Sequence, residues 1–159
     1  TDLNFLDYSN KKIENFILIY GLVFSKEDKI KIINFSKSKN LKIISIGHYN
    51  DWVDENYIHA NPEEFLSYIS QAKYVFTSMF HGVMFSVKFK RNFWYSDDRI
   101  RTNKMGYFIN NLNLSNRLIS KSENFENEID YELLYEKLNP WIESSKDFLK
   151  KCLEKKDLS

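Results

Sequence analysis

The chain has 159 residues, 43% hydrophobic and 16% aromatic, a length and apolar content that suit one packed domain and exclude a disordered chain. It carries 23 Lys and Arg against 22 Asp and Glu, a net charge of +1, which argues against a nucleic-acid binder, where a clear basic excess is the rule. Cys152, the one cysteine, excludes an internal disulfide framework and a multi-cysteine zinc site.

With 4 Gly and 2 Pro in the chain, few breakers interrupt it, and most of it is expected in regular structure. The polar start, residues 1–10, lacks an apolar signal core. No apolar run approaches the ~20 residues that span a bilayer, so no transmembrane segment and a cytoplasmic location are expected. Thr1 in place of Met implies that a preceding segment has been removed.

Residues 16–24, FILIYGLVF, form a nearly unbroken apolar run, the pattern of a parallel strand covered on both faces. Ser25, with Glu27 and Asp28 in the next turn, predicts a helix start with a capping hydroxyl and carboxylates at the positive dipole end. That helix continues through Ile30, Ile33 and Phe35 to about Lys39. Residues 41–47, LKIISIG, read as a second strand, followed by a polar and aromatic loop over 48–59. Asn61 as cap and Pro62 at the first helical position open another helix, with Phe65, Leu66, Ile69 and Ala72 as its apolar stripe.

Residues 73–77, KYVFT, read as a third strand, and a turn over 78–82 leads into a helix from Val83 to about Lys90. A fourth strand is expected at 92–95, NFWY, a helix at 101–112 and a short strand at 117–120. The tail from 130 to 156 reads as helical, with Pro140 a candidate break. Its Leu133, Leu134, Leu138, Trp141, Phe148, Leu149 and Leu153 recur at helical spacing, which implies either core packing against the sheet or docking on a neighbouring domain. Cys152 is expected to bury as a small hydrophobe.

Strand and helix alternate, and the packing solution is an α/β fold, a Rossmann-like parallel sheet with helices on both faces. Ligands bind such sheets beyond the carboxyl ends of the strands. That rule selects residues 47–54, 77–82 and 95–104.

In the second of these, Thr77-Ser78-Met79-Phe80-His81-Gly82-Val83 joins a strand to a helix. Helix N-termini expose unpaired N–H groups and attract anions. Gly82 permits close backbone approach, Ser78 can cap the helix or donate to an oxyanion, and His81 can donate a proton near neutrality. The alternative is structural: Ser78 only a cap, Gly82 a helix–sheet packing residue, His81 a satisfied turn histidine.

Between His81 and Met105 stand Lys88, Lys90, Arg91, Arg99, Arg101 and Lys104, opposed only by Asp97 and Asp98. Lys88, Lys90 and Arg91 read as a solvated helix end. Arg99, Arg101 and Lys104 follow the fourth strand at the ligand edge, where they can hold a carboxylate or phosphate or pair with Asp97 and Asp98. His48, Tyr49, Asp51 and Trp52 follow the second strand and can line a pocket or pack as an aromatic loop. His48, His59 and His81 are too scattered for a metal motif, and no GxGxxG or GxxxxGK[ST] supports a dinucleotide or nucleotide cofactor.

The run Asn61-Pro62-Glu63-Glu64-Phe65-Leu66, then Ala72-Lys73-Tyr74-Val75, then Thr77-Ser78-Met79-Phe80-His81-Gly82-Val83-Met84-Phe85-Ser86, resembles the C-terminal part of the polysaccharide pyruvyl transferase family. The likeness extends over about residues 16–120, with Met79 where the family often has Ser or Arg. It implies one Rossmann-like half of a GT-B-like architecture, residues 1–159 forming the donor-binding half and an N-terminal half being absent. The isolated portion is then expected to be inactive. The implied reaction moves the enolpyruvyl unit of phosphoenolpyruvate onto two hydroxyls of a sugar or lipid-linked glycan of a bacterial surface polysaccharide, in the cytoplasm or at the inner membrane face. His81 fits the general acid; Ser78, Phe80, Gly82, Arg99, Arg101, Lys104 and His48 make up the substrate-binding set. A nucleotide-sugar glycosyltransferase half, and a noncatalytic domain of the same fold, are the alternatives.

Overall fold

The computed structural model describes residues 14–96 and 102–154, with the side chains of 102, 103 and 154 left aside. The chain divides into two compact units, Thr1–Asn127 and Glu128–Ser159. In the first, β1 (Phe16–Tyr20) leads through α1 (Lys26–Lys39) to β2 (Lys42–Ile46) and β3 (Glu55–Tyr57). Then come α2 (Pro62–Gln71), β4 (Tyr74–Thr77), α3 (Phe80–Lys88), β5 (Asn92–Tyr95) and α4 (Thr102–Asn111).

The strands pair in the order β3-β2-β1-β4-β5, every pair parallel. This is the Rossmann-like α/β arrangement that the alternation predicts. From β1 the chain steps outward to β2 and β3, then returns across β1 to β4 and β5. Crossovers between parallel strands are right-handed, so reversing the direction of travel moves the helices to the opposite face. Accordingly α1 lies on one face, where Phe35 meets Tyr74 and Phe76 edge-on at 4.9 and 6.4 Å. On the other face Tyr68 of α2 meets Phe16 at 6.1 Å, and α3 packs on β4 and β5.

Alternation along each strand feeds two apolar layers. On the α1 face Ile17, Ile19, Ile43, Phe76 and Trp94 pack with Ile32, Phe35, Ile119 and Phe125. Phe16, Leu18, Val75 and Phe93, fully buried, fill the other. Each such side chain contributes about 1.5–3 kcal/mol relative to exposure.

Both helix starts that the sequence marks carry reciprocal caps. Asp28 N–H donates to Ser25 Oγ at 3.0 Å and Ser25 N–H to Asp28 Oδ2 at 3.2 Å; Asn61 and Glu64 repeat the device at 2.8 Å in each direction. Two orphan N–H groups are thereby satisfied at each helix.

Three strand and loop expectations in this unit are corrected. β1 stops at Tyr20 rather than running to Phe24, because Gly21 turns the chain at φ 131°. The expected loop over 48–59 contains β3, a short half-buried edge strand whose Tyr57 stands beside Ile46. The expected strand at 117–120 is instead two 3-10 turns, Ser115–Arg117 and Ile119–Lys121, with a single bridge from Leu118 to Tyr95. The carbonyls there are claimed elsewhere: Lys31 Nζ donates to Ile119, Ser120 and Ser122 at 3.2, 3.1 and 3.0 Å, and Ser122 Oγ donates to Leu118 at 2.8 Å.

In the second unit α5 (Tyr131–Glu154) passes through Pro140 unbroken; a proline removes one backbone donor, and the helix continues on both sides. It starts where Leu133 N–H donates to the Asp130 carboxylate at 3.0 Å. Leu133, Phe148, Leu149 and Leu153 are exposed, not core residues. Cys152 is likewise exposed rather than buried.

The turn at Gly21 yields a first prediction. A Cβ there would stand 3.1 Å from Ser78 N, with Ser78 Oγ closer still, in a backbone conformation that L side chains rarely adopt. Gly21→Ala is expected to destabilise by about 1–3 kcal/mol, measured as a lower urea midpoint at unchanged m; an unshifted midpoint would contradict the strain.

Candidate functional site

Strand order reverses between β1 and β4, so the loops leaving their carboxyl ends flank the crevice where such sheets bind ligands. These two loops are laced together. Thr77 Oγ1 donates to Tyr20 O at 2.7 Å and accepts from Met79 N–H at 3.0 Å. Ser78 N–H donates to Tyr20 O at 3.2 Å, and Val23 N–H donates to Ser78 Oγ at 3.3 Å.

Ser78 is buried and its oxygen is turned to Val23, so it does not cap α3. The N-cap is Met79, which gives no side-chain hydrogen bond, and no acidic residue stands in the first turn. The helix therefore begins three residues earlier than Val83. Its first turn, Phe80, His81 and Gly82, keeps the partial positive charge of an uncapped N-terminus.

Gly82 is buried against β4: a Cβ there would come within 2.7 Å of Thr77 Cβ. This close seating sets the height of His81 above the sheet edge. His81 is exposed and lines a groove of about 310 Å³ with Tyr20, Gly47, Pro62, Phe65 and Phe85. The rings of Tyr20 and Phe65 lie 4.6 Å apart, and those of Phe65 and Phe85 5.7 Å. Burial pushes the Tyr20 phenol above its ordinary range, so it stays protonated at neutral pH.

Phe80 is half-buried and sits between the His81 ring at 6.0 Å and the Phe108 ring of α4 at 5.8 Å. Lys104, exposed, lies one turn before Phe108 on α4, which places it on the helix side that meets Phe80. The ring of the half-buried His48 lies tilted at 5.9 Å from that of Tyr20, a wall of the same groove. Four of the candidates, His81, Phe80, His48 and Lys104, thus stand on elements that converge at one sheet edge. Ser78 and Gly82 position that edge from beneath. Arg99 and Arg101 lie outside the described residues.

Tyr20, Phe65 and Phe85 were not marked by the sequence as lining residues, because each falls on an apolar stripe that reads as core. Arg117, read only as part of a strand, is buried. Its guanidinium stacks 4.9 Å over Trp94 and donates to Asn127 O at 2.6 Å beneath a polar pocket of about 270 Å³. Among the described residues no group of three or more His, Cys, Asp or Glu could hold a metal ion, and no helix is long and apolar enough to cross a membrane.

An uncapped helix end, an exposed imidazole and an aromatic groove together suit a small ligand with an anionic end. The family model described as polysaccharide pyruvyl transferase matches residues 4–97, which contains β1 to β5 and every groove residue. No curated protein and no solved structure gives a match.

Proposed function

The chain belongs to the polysaccharide pyruvyl transferase family, and from that premise we propose that it forms the donor-binding half of a GT-B-like enzyme whose donor is phosphoenolpyruvate. The observation that carries this reading is His81, solvent-accessible on the uncapped first turn of α3 at the carboxyl edge of the sheet.

Pyruvyl transfer asks for a proton on the methylene carbon of the enol. This generates an oxocarbenium-like centre at the adjacent carbon, which one sugar hydroxyl attacks; a second hydroxyl then displaces phosphate and closes the ketal. His81 supplies the proton. The amides of the first turn of α3 and the cations Arg99, Arg101 and Lys104 meet the phosphate and carboxylate, since preorganised donors and charges are most effective on a developing anion. Met79 occupies a place where a longer polar side chain would add a contact, so the helix amides and the downstream cations bear more of the anion. The acceptor is a sugar of a bacterial surface polysaccharide, free or lipid-linked, and an N-terminal half completes the cleft. The work is placed in the cytoplasm or at the inner membrane face.

The test is a thermal-shift titration with phosphoenolpyruvate and, separately, UDP. Phosphoenolpyruvate is expected to raise the melting temperature and UDP to leave it unchanged. A shift with UDP alone would point to a nucleotide-sugar transferase, and no shift with either to a noncatalytic domain. Arg101→Ala is expected to reduce the phosphoenolpyruvate shift more than Lys88→Ala; equal effects would misplace the site.

A further inference from the structure

The segment joining β1 to α1 walls a second pocket, of about 460 Å³, bounded by Leu22, Val23, Asp28, Ser96, Leu118 and Ser120. Asp28 is 4% exposed. Its Oδ2 accepts from Ser25 N–H at 3.2 Å and from Ser96 Oγ at 3.3 Å, while its Oδ1 is buried without a hydrogen-bond partner among the described residues. A buried carboxylate oxygen left unsatisfied is costly and uncommon in native folds. Capping α1 needs only one oxygen of this side chain. The second oxygen, buried on a residue that lines the pocket, is therefore an acceptor in want of a donor.

The surroundings select the donor. Lys31 Nζ is fixed on the carbonyls of Ile119, Ser120 and Ser122 beside the pocket, and the N-terminus of α1 adds partial positive charge. A further cation is disfavoured there, whereas a neutral hydroxyl is not. Leu22, Val23 and Leu118 offer apolar surface, and Ser96 and Ser120 offer hydroxyls. Hydroxyl donors on one edge and an apolar C–H face on the other describe a pyranose. The terminal torsion of an aspartate is soft and both bonds to Oδ2 are long, so Oδ1 can turn to a ligand without backbone movement. The wall is also tied to the loop that carries His81, through Val23 N–H and Ser78 Oγ.

We infer that Asp28, with Ser96 and Ser120, forms a sugar-hydroxyl subsite for the acceptor in this half of the enzyme, an assignment that rests on the pyruvyl-transfer reading above.

The test follows backbone amide NMR shifts as methyl glucopyranoside, galactopyranoside and mannopyranoside are titrated separately to millimolar levels. At least one is expected to give saturable shifts at residues 22–25, 96 and 118–120. Asp28→Asn keeps an oxygen for the Ser25 N–H but can set an amide donor where Oδ1 stood, and is expected to weaken that binding roughly tenfold or more. Ser120→Phe fills the pocket from an exposed position and is expected to abolish it, which keeps the test intact if Asp28→Asn unfolds. No saturable shift with any of the three, shifts confined to other residues, or undiminished binding in Ser120→Phe or a folded Asp28→Asn would overturn the subsite. Phosphoenolpyruvate binding without sugar binding would remove this subsite alone; sugar binding without phosphoenolpyruvate binding would remove the donor reading and leave the subsite.

Discussion

Gly82→Ala is expected to destabilise the protein by about 2–4 kcal/mol, although alanine is the better helix former. Propensity alone would favour the replacement by about 1 kcal/mol. Against it, the new Cβ would lie 2.7 Å from Thr77 Cβ and 3.0 Å from Thr77 Cγ2. Thr77 is fully buried and pinned by Tyr20 O and Met79 N–H, so it cannot rotate away. Overpacking of this kind forces a backbone shift. The expected melting temperature falls by roughly 5–15 °C. Thr77→Gly in the same background removes the obstruction, and a double-mutant cycle is expected to show coupling of about 1–2 kcal/mol. A Gly82→Ala variant as stable as the parent would mean that α3 does not sit this close to β4.

The second large effect concerns chemistry. His81→Ala is expected to lower pyruvyl transfer, read as phosphate released from phosphoenolpyruvate by the full-length enzyme with its acceptor, by about 10²–10⁴-fold, the range of general acid catalysis. His81 is exposed at the groove rim, so its removal leaves no core cavity, and the melting temperature without ligand is expected to stay within roughly 2 °C of the parent, as for surface substitutions. The phosphoenolpyruvate thermal shift is expected to persist, because the α3 amides and the cations remain. A variant that loses ligand binding while retaining turnover per bound donor would make the imidazole a binding group and not the acid.

Much of the architecture was legible because local chemistry and global packing agree. The runs at 16–20, 42–46 and 74–77 are apolar enough for strands with two covered faces, and Ser25 and Asn61 announce helices by their capping chemistry. β3 was not legible: Glu-Asn-Tyr at a half-buried sheet edge has no apolar signature. Residues 117–120 mimic a strand by composition, but Lys31, 88 or more positions before the carbonyls it binds, takes acceptors that a ladder would need.

At the candidate site, position alone marked His81 and Gly82 for attention, since parallel sheets bind ligands beyond the carboxyl ends of their strands, but it left the structural alternative open, and Gly82 does seat α3 closely on Thr77. Ser78 was misjudged in orientation, because the donor that claims it is Val23, 55 residues away. Tyr20, Phe65 and Phe85 were hidden by their hydrophobicity, and Asp28 was seen only as a complement to a helix dipole. Its burial against Ser96 depends on a contact 68 residues distant, which no local pattern encodes.

The central place of β1 bears on how the polypeptide is born. Ile17 stands opposite Ile43 on one side and Tyr74 on the other, so β1 leaves the ribosome with one flank that stays open until nearly sixty further residues have emerged. Closing so long a loop is slow, and the nascent FILIY segment is meanwhile a sticky edge. A holdase chaperone engaging the growing chain before β4 is translated, and releasing it afterwards, is the behaviour this strand order favours.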